Sequence, residues 1–336
     1  MKVLVTGGTG FLGGVICRML KARGDDVVSI ARSRSDVLDQ LGVHQLQGDV
    51  SALDKVIEAS LGCDAVIHTA AKAGIWGSLA DFTSANVGGT LSVLGACELN
   101  GIRKLVHTST PSVVHSGGDI EGGDESLPYA NHFAAPYPGT KAVAERHVLK
   151  ANGANIATVA LRPHLIWGPG DHHLLPRLLK RQQQGRLRFI GKPKQVDTVY
   201  IDNAAEAHLN ALDRLDIGSP CSGKAYFISQ GQPIALDDMI NKMLKACGRP
   251  PETRRIPVPV AKLAGLFFES WYSLTGRTDD PPMTRFLAEQ LSTAHWFNID
   301  AARRDLGYQP RATLSEGLAR LGEWWMREGR KQESTP

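Results

Sequence analysis

Residues 5–13 read VTGGTGFLG, and this stretch decides the fold. It follows a short apolar run and precedes a segment with helical spacing of apolar residues that stops at Gly24. The stretch therefore predicts a strand, a glycine turn and a helix, in that order. Gly7 permits the tight turn, Gly10 lets the backbone approach a pyrophosphate, and Gly13 allows the helix to pack closely on the strand.

The predicted helix begins with N–H groups that have no partner inside the helix. Together with the helix dipole they form a favourable site for phosphate. Phe11 and Leu12 open the helix, so we assign them to dinucleotide binding with the three glycines. The spacing is GxxGxxG rather than GxGxxG, but its place between a strand and a helix still indicates a dinucleotide-binding turn rather than a turn without a ligand.

Strand-like and helix-like segments alternate along the first half of the chain. Further strands are predicted at residues 26–31, 43–50, 64–71, 104–109 and 156–163. Such alternation implies right-handed crossovers and a parallel sheet covered on both faces. The sequence therefore predicts an α/β fold of the Rossmann type, with a doubly wound parallel sheet.

The alternation weakens beyond Pro163, where a smaller and mostly helical C-terminal region is predicted. Residues 224–231, KAYFISQG, are predicted to form one more strand. The predicted parts are a Rossmann domain at 1–165 with 196–232 returning to it, a substrate-binding region at 166–195 and 233–330, and a frayed polar tail at 331–336.

Composition argues against several classes of protein. The chain has 336 residues and a net charge of only +4, with no basic block interleaved with aromatic residues, which argues against nucleic acid or an anionic membrane as a partner. The five cysteines are scattered and form no CxxC pair, so we expect no metal site and no disulfide framework. The N-terminus lacks a cleavage site, and a soluble cytoplasmic protein is expected.

The most apolar run is VAKLAGLFFESWYSL, residues 260–274. Lys262 and Glu269 interrupt it too closely for a membrane span. A core helix or a lid over a substrate pocket is the favoured interpretation, and contact with a membrane surface is the alternative.

The end of the second strand indicates which nucleotide binds. NAD-binding proteins usually place an acidic residue there, whereas this chain has Arg32 and Arg34, whose guanidinium groups suit a 2′-phosphate. The alternative is a solvated surface turn, but Arg32 at the strand tip favours NADP. We also assign Asp49 and Val50 to the border of the adenine, and Ala70 and Ala71 to the space beside the cofactor backbone.

Residues 135–145, APYPGTKAVAE, place a phenol and an ammonium one turn apart at the start of a helix near Tyr137. A phenol has an ordinary pKa of about 10, and a nearby ammonium favours the phenolate. With Lys141 as its partner, Tyr137 is suited to exchange a proton with a carbonyl or hydroxyl oxygen. Lys141 is also placed to reach the nicotinamide ribose.

A hydroxyl cluster follows the strand at residues 104–109 and would polarise the same oxygen; its members are Thr108, Ser109, Thr110 and Ser112. Such a cluster alone is usually turn chemistry, and a lone YxxxK is usually a surface pair. The information lies in the order of glycine turn, hydroxyl cluster and YxxxK, each at the carboxyl end of a predicted strand.

This constellation resembles the extended short-chain dehydrogenase/reductases over nearly the whole chain, and within them the 3β-hydroxysteroid dehydrogenase-like branch. Further stretches that carry the resemblance are AAKAGIWGS at 70–78, ALRPHLIWGPGD at 160–171, VDTVYIDNAAEAH at 196–208 and RFLAEQLSTAHWF at 285–297. The resemblance implies that Tyr137 is the proton donor, Lys141 its partner and Thr110 the third hydroxyl. The wider group more often has serine there, which leaves Ser109 as an alternative. Hydride from NADPH is also implied, and we add Pro163 and Lys141 to the cofactor contacts.

Within that branch, the motifs are most similar to those of reductases acting on 2-alkyl-3-keto acids in bacterial long-chain olefin biosynthesis. The resemblance implies an oxidoreductase of lipid metabolism whose substrate carries a carboxylate and two alkyl chains, with neighbouring pathway enzymes and a second copy as possible partners. Lys72 is a candidate anchor for the carboxylate, or else a surface lysine. The candidate apolar lining is Trp76, Trp167, Leu266, Phe267, Phe268, Trp271 and Tyr272.

Three rival interpretations stay open. A sterol or other 3β-hydroxysteroid substrate fits the same motifs. A non-catalytic NADP-binding regulator would have no use for the phenol of Tyr137. An epimerase of nucleotide sugars usually holds NAD, which Arg32 disfavours.

Overall fold

The structure, a computed structural model, describes residues 1–329, so the tail predicted to be frayed at 331–336 lies outside the described residues. The strands are β1 (Lys2–Thr6), β2 (Asp26–Ala31), β3 (His44–Gln47), β4 (Ala65–His68), β5 (Lys104–Thr108), β6 (Ile120–Gly123), β7 (Ala157–Pro163), β8 (Ile166–Trp167), β9 (Phe189–Ile190), β10 (Gln195–Val196), β11 (Val199–Tyr200), β12 (Lys224–Ile228), β13 (Ile234–Ala235), β14 (Arg255–Ile256) and β15 (His295–Phe297).

The helices are α1 (Phe11–Ala22), α2 (Asp36–Gln40), α3 (Leu53–Ser60), α4 (Leu79–Phe82), α5 (Gly89–Leu99), α6 (Pro136–Ala151), α7 (Leu174–Gln183), α8 (Ile201–Arg214), α9 (Leu236–Ala246), α10 (Val258–Thr275), α11 (Arg285–Gln290), α12 (Asp300–Leu306) and α13 (Leu314–Trp324). A π-helical segment, Thr83–Gly88, joins α4 to α5, and a second one, Trp325–Gly329, follows α13.

Seven parallel strands form the large sheet in the order β3-β2-β1-β4-β5-β7-β12. The chain builds outward from β1 to β3 and then returns to β4 on the other side of β1. The strand order therefore reverses between β1 and β4, and in such sheets ligands bind in the crevice at the carboxyl ends of these strands. The predicted Rossmann-type doubly wound sheet is confirmed, and the strand predicted at 224–231 is β12.

Both faces of the large sheet are buried, as parallel sheets require. Val3 and Val5 of β1 contact one hydrophobic cluster, which includes Ile16 of α1. Leu4, between them, points to the other face and joins a second cluster with Val56 of α3. Alternate residues of one strand thus hold helices on opposite sides of the sheet.

Eight shorter strands of the described residues form three smaller sheets. A four-stranded mixed sheet has the order β13-β10-β15-β6, and two parallel pairs join β11 to β8 and β14 to β9. All five cysteines are buried as thiols. Among residues 1–329, no helix combines the length and the hydropathy that a membrane span requires.

Candidate active site

The glycine turn after β1 is as tight as its sequence predicts. Gly7 has a φ of +71°, and its N–H donates to the carbonyl of Ile30 at 2.9 Å. A Cβ on Gly7 would come within 3.0 Å of the backbone of Ala70, and a Cβ on Gly13 would overlap the carbonyl oxygen of Gly7. The cradle therefore exists only because these residues are glycines.

The turn leads directly into α1, which Gly10 precedes in an extended conformation. The first N–H groups of a helix have no earlier helical carbonyl to bond, and in α1 they belong to Phe11 and Leu12, with no side-chain cap from Gly10. Free N–H groups, the helix dipole and a glycine cradle are the elements of a pyrophosphate site, so the residues present fit a dinucleotide.

The two arginines after β2 differ in their surroundings. Arg34 pairs with Asp39 at 2.8 Å. Arg32 lies close enough to Asp49 to lower the pKa of that carboxyl, although the hydrogen bonds from the backbone and hydroxyl of Ser51 lower it more. Of the two guanidinium groups, that of Arg32 is the one left to meet a further anion.

The remaining predicted cofactor contacts lie at the ends of neighbouring strands. The N–H of Ala70 donates to the hydroxyl of Thr6 at 3.1 Å, which fixes the start of the segment containing Ala71 against β1. Val50 packs at the start of α5, where a Cβ on Gly89 would lie 2.7 Å from its side chain. Pro163 ends β7, opposite Ile228 of β12.

Tyr137 and Lys141 lie in the first two turns of α6, which begins at Pro136, one residue before the predicted start. Lys141 is only 2% exposed, and its ammonium donates to the carbonyl of Thr108 at 2.6 Å and lies 3.4 Å from Nε2 of His107. Burial lowers the pKa of Lys141 to about 8. Lys141 thus joins α6 to the end of β5.

Burial raises the pKa of Tyr137 above its ordinary value. The side chain of Thr110 lies close enough to the phenol to oppose this shift. We expected the ammonium of Lys141 to favour the phenolate, but in the structure burial is the largest influence on the pKa of Tyr137, with the side chain of Thr110 opposing it. The pKa shift therefore runs opposite to the expected direction, and the phenol is the stable form at neutral pH.

The hydroxyl cluster divides into side chains with different partners. Thr110 meets Tyr137 and also accepts from the N–H of Ser112 at 3.2 Å. Thr108 is hydrogen-bonded to Nε2 of His208 at 2.9 Å, away from the phenol. The hydroxyl of Ser109 is buried and has no hydrogen-bond partner among residues 1–329. Of the two alternatives for the third hydroxyl, the structure brings Thr110 to the phenol.

Lys72 has the surroundings of a surface lysine, the alternative that the sequence left open, and part of the expected apolar lining is in the core or exposed to solvent. The ammonium of Lys72 pairs with Asp81 at 2.9 Å at the surface, so it already has a carboxylate partner. Trp167 is buried against Tyr200, in the core. Three predicted lining residues of α10 are exposed to solvent because the helix buries its opposite face; they are Leu266, Phe267 and Trp271.

Sequence reasoning missed a pair of buried histidines beside β7. Nε2 of His295 lies 2.8 Å from the carbonyl oxygen of Gln290, which can only accept, so Nδ1 of His295 accepts from Nε2 of His164 at 2.6 Å. Burial lowers the pKa of both rings. The residue after His164, Leu165, is the one non-glycine residue with a positive φ, +44°, in the part of the chain that the structure describes. The RPHL motif at 162–165 was the available signal.

Asn86 was also missed. It lies in the π-helical segment, buried, and its side chain accepts from the N–H of Lys72 at 2.7 Å and donates to the hydroxyl of Thr140 at 3.0 Å. These bonds connect the segment after β4 to the helix that carries Tyr137. The amide of Asn86 thereby positions two walls of the candidate site relative to each other.

Comparison with known proteins gives concordant results. The model of the 3-beta hydroxysteroid dehydrogenase/isomerase family matches residues 4–259. A protein named 2-alkyl-3-oxoalkanoate reductase from Stenotrophomonas maltophilia is 50% identical, over 96% of this chain and 98% of its own. A protein of the same name from Shewanella oneidensis is 46% identical, over 94% of this chain and 84% of its own.

A solved structure, UDP-glucuronic acid 4-epimerase from Bacillus cereus in complex with NAD, superposes with a TM-score of 0.74. It covers 97% of this chain and 99% of its own, at 23% identity. At 23% identity, this similarity indicates a shared fold and nothing more specific.

Proposed function

The chain belongs to the 3-beta hydroxysteroid dehydrogenase/isomerase family, and on that premise we propose that it reduces 2-alkyl-3-keto acids to 2-alkyl-3-hydroxy acids with NADPH, as a step in long-chain olefin biosynthesis. It is an oxidoreductase that acts on a hydroxyl or keto group with a nicotinamide dinucleotide. The observation that carries the proposal is the bond from Lys141 to the carbonyl of Thr108, which holds the start of α6, with Tyr137, at the end of β5, where Thr110 follows. The names of the two reductases that match nearly the whole chain support the substrate class.

The proposed cofactor contacts line the carboxyl ends of the parallel strands. They are Gly7, Gly10, Phe11, Leu12, Gly13, Arg32, Asp49, Val50, Ala70, Ala71, Lys141 and Pro163. Arg32 would receive the 2′-phosphate, because Arg34 already has Asp39 as its partner. When bound, the reduced nicotinamide supplies the hydride.

The residues of this chain supply the proton and the binding of the developing negative charge. The phenol of Tyr137 stays protonated at neutral pH, since burial raises its pKa, and it would donate its proton to the substrate oxygen. Thr110 lies close enough to that phenol to lower its pKa and would offer the same oxygen a second donor. Lys141 holds the helix against the end of β5 through its bond to Thr108.

The substrate would lie between the large sheet and the smaller region at residues 166–195 and 233–329. His164, at the end of β7, is placed at this boundary, and its tautomer is fixed by His295. A 2-alkyl-3-keto acid presents one polar end, which the Tyr137 site would take, and two apolar chains.

The test is best run in the oxidation direction, because 3-keto acids decarboxylate readily. Purified protein receives NADP⁺ or NAD⁺ with a long-chain 2-alkyl-3-hydroxy acid or a 3β-hydroxysteroid, and reduced nicotinamide is followed by absorbance. We expect NADP⁺-dependent turnover of the hydroxy acid, with kcat lowered about 10²–10⁴-fold in Tyr137→Phe.

Turnover of the steroid alone would overturn the substrate assignment and leave the chemistry in place. A preference for NAD⁺ would overturn the cofactor assignment. Full activity in Tyr137→Phe would overturn the role of the phenol, and retained cofactor binding by that variant, measured by fluorescence titration, shows that the variant is folded.

A further inference from the structure

The outer face of α10 is apolar and exposed. Its exposed side chains range from 47% to 87% of full accessibility and recur every three or four residues along the helix; they are Val260, Leu263, Leu266, Phe267, Trp271 and Leu274. Phe267 stacks on Trp271 with ring centroids 6.3 Å apart, so the aromatic rings form one surface. A continuous apolar stripe of this kind on a folded domain marks a place of interaction.

The opposite face of α10 is firmly packed. A Cβ on Gly265 would lie 2.7 Å from backbone atoms of Thr284 and Arg285, at the start of α11. Arg285 also pairs with Glu269 of α10 at 2.7 Å. Because these contacts fix the rotation of the helix, the apolar stripe faces outward in the folded protein.

A cationic segment lies next to this helix. Residues 174–194 contain seven lysines and arginines and no carboxylate, although the whole chain has a net charge of only +4. This segment contacts the chain on both sides of α10: β9 pairs with β14, which directly precedes the helix, and Arg181 donates to the carbonyl of Pro282 at 2.6 Å. Arg177 and Lys194 of this segment are paired with Asp280 and Asp119, whereas Arg186 and Lys192 are exposed to solvent.

We propose that the outer face of α10 docks on an anionic lipid surface, with the helix lying in the plane of the headgroups. An exposed stripe of leucine and aromatic side chains beside lysines and arginines is the pattern of an interfacial helix, in which apolar side chains enter the acyl boundary and cations meet anionic headgroups. A single convex helix offers no groove for a partner segment, and the excess of cations beside it would repel a second copy of the same surface.

The inner face of α10 connects this surface with the candidate site. Tyr272 meets Trp76 edge to face at 6.1 Å, and Nε1 of Trp76 donates to the carbonyl of Arg277 at 3.2 Å. Trp76 lies in the segment that follows β4, six residues after Ala70, whose backbone borders Gly7 of the cofactor cradle. The idea that a two-chain acid passes from the lipid to the candidate site along α10 and Trp76 rests on the proposed function. The docking surface itself does not depend on that function.

Vesicle co-sedimentation tests the surface without any assay of activity. The full chain is mixed with vesicles of phosphatidylglycerol and phosphatidylethanolamine, and separately with phosphatidylcholine alone. We expect binding to the anionic vesicles that weakens with salt. The double variant Phe267→Ser/Trp271→Ser should bind about tenfold or more weakly, because two buried aromatic contacts are lost. Arg186→Glu/Lys192→Glu should lose the preference for anionic lipid.

Leu61→Ser is the matched control, since Leu61 is 67% exposed on another part of the molecule, at the end of α3. Circular dichroism of each variant reports folding. Absence of binding by the wild-type chain would overturn the proposal. Equal binding by wild type and Phe267→Ser/Trp271→Ser would overturn it too. So would sedimentation velocity showing that the wild-type chain is a dimer and that Phe267→Ser/Trp271→Ser, but not Leu61→Ser, is a monomer. Vesicle binding without turnover of the hydroxy acid would leave the surface standing and remove only the proposed substrate.

Discussion

Glu145 and Arg162 form a buried, bidentate ion pair: Nη2 and Nε of the arginine lie 2.6 and 3.1 Å from the two carboxylate oxygens. Glu145 is fully buried and also accepts from the hydroxyl of Tyr129 at 2.7 Å. It lies on the same helical face as Tyr137 and Lys141, at successive intervals of four residues. The pair therefore fixes α6, the helix that carries Tyr137, against β7.

Glu145→Gln should lower the free energy of unfolding by about 3–5 kcal/mol, because it leaves the guanidinium of Arg162 buried without a counter-charge. Urea denaturation measures this. Glu145→Met/Arg162→Met, which removes both charges, should recover much of the loss. A loss below about 1 kcal/mol, as for an exposed pair, would contradict the structure.

Lys141 should make stability depend on pH. Burial lowers its folded-state pKa to about 8, below its ordinary value, so between pH 8 and about 10.4 the unfolded chain binds more protons and stability rises with pH. Below pH 8 both states are protonated and the destabilisation is fully present. Lys141→Met should gain about 3 kcal/mol over wild type at pH 7 and lose that gain towards pH 10.

Denaturation midpoints of Lys141→Met and wild type, compared at both pH values, measure this gain. Lys150→Met, on the exposed side of the same helix, is the control. A difference between Lys141→Met and wild type that does not change with pH would refute the expectation.

The two candidate hydroxyls can be separated by kinetics. Thr110→Val should lower kcat about 10²-fold, because the hydroxyl that meets Tyr137 is removed at nearly constant volume. Ser109→Ala should leave kcat near the wild-type value, because the Ser109 hydroxyl has no partner within residues 1–329. The reverse result would assign the third hydroxyl to Ser109.

Arg32 and Arg34 offer a matched pair for cofactor choice. Arg32→Ser should lower kcat/KM for NADPH about 10–100-fold with little change for NADH, since a charge-assisted bond to the 2′-phosphate is lost. Arg34→Ser should have a small effect on either, because Arg34 is bound to Asp39. Equal losses with both cofactors would place Arg32 away from the phosphate.

The sequence was most informative where the structure is local. The strand, glycine turn and helix at residues 2–22 depend on neighbours in the chain, and the predicted fold and family are confirmed. The start of α6 was predicted within one residue because Pro138 is favoured only in the first turn of a helix.

The features that the sequence could not predict depend on contacts between residues far apart in the chain. The helix α8, at Ile201–Arg214, was not recognised, and its place against α1 depends on the return of the chain to the large sheet. The bond between His164 and His295 joins residues 131 positions apart. The direction of the pKa shift of Tyr137 depends on burial, which spacing along a helix does not report.

Leu165, whose backbone has a positive φ, marks a boundary between two structural parts of the chain, at which one part can be exchanged for that of another protein. Up to Pro163 the chain runs in register with β12, and from Ile166 it pairs with β11 in a separate sheet. Replacement of residues 166–195 and 233–329, with α8 and β12 retained, would leave the seven-stranded sheet under the glycine turn and Tyr137 intact. A protein engineer who wants new substrates for the same hydride chemistry should place the first junction of a chimaera at Leu165.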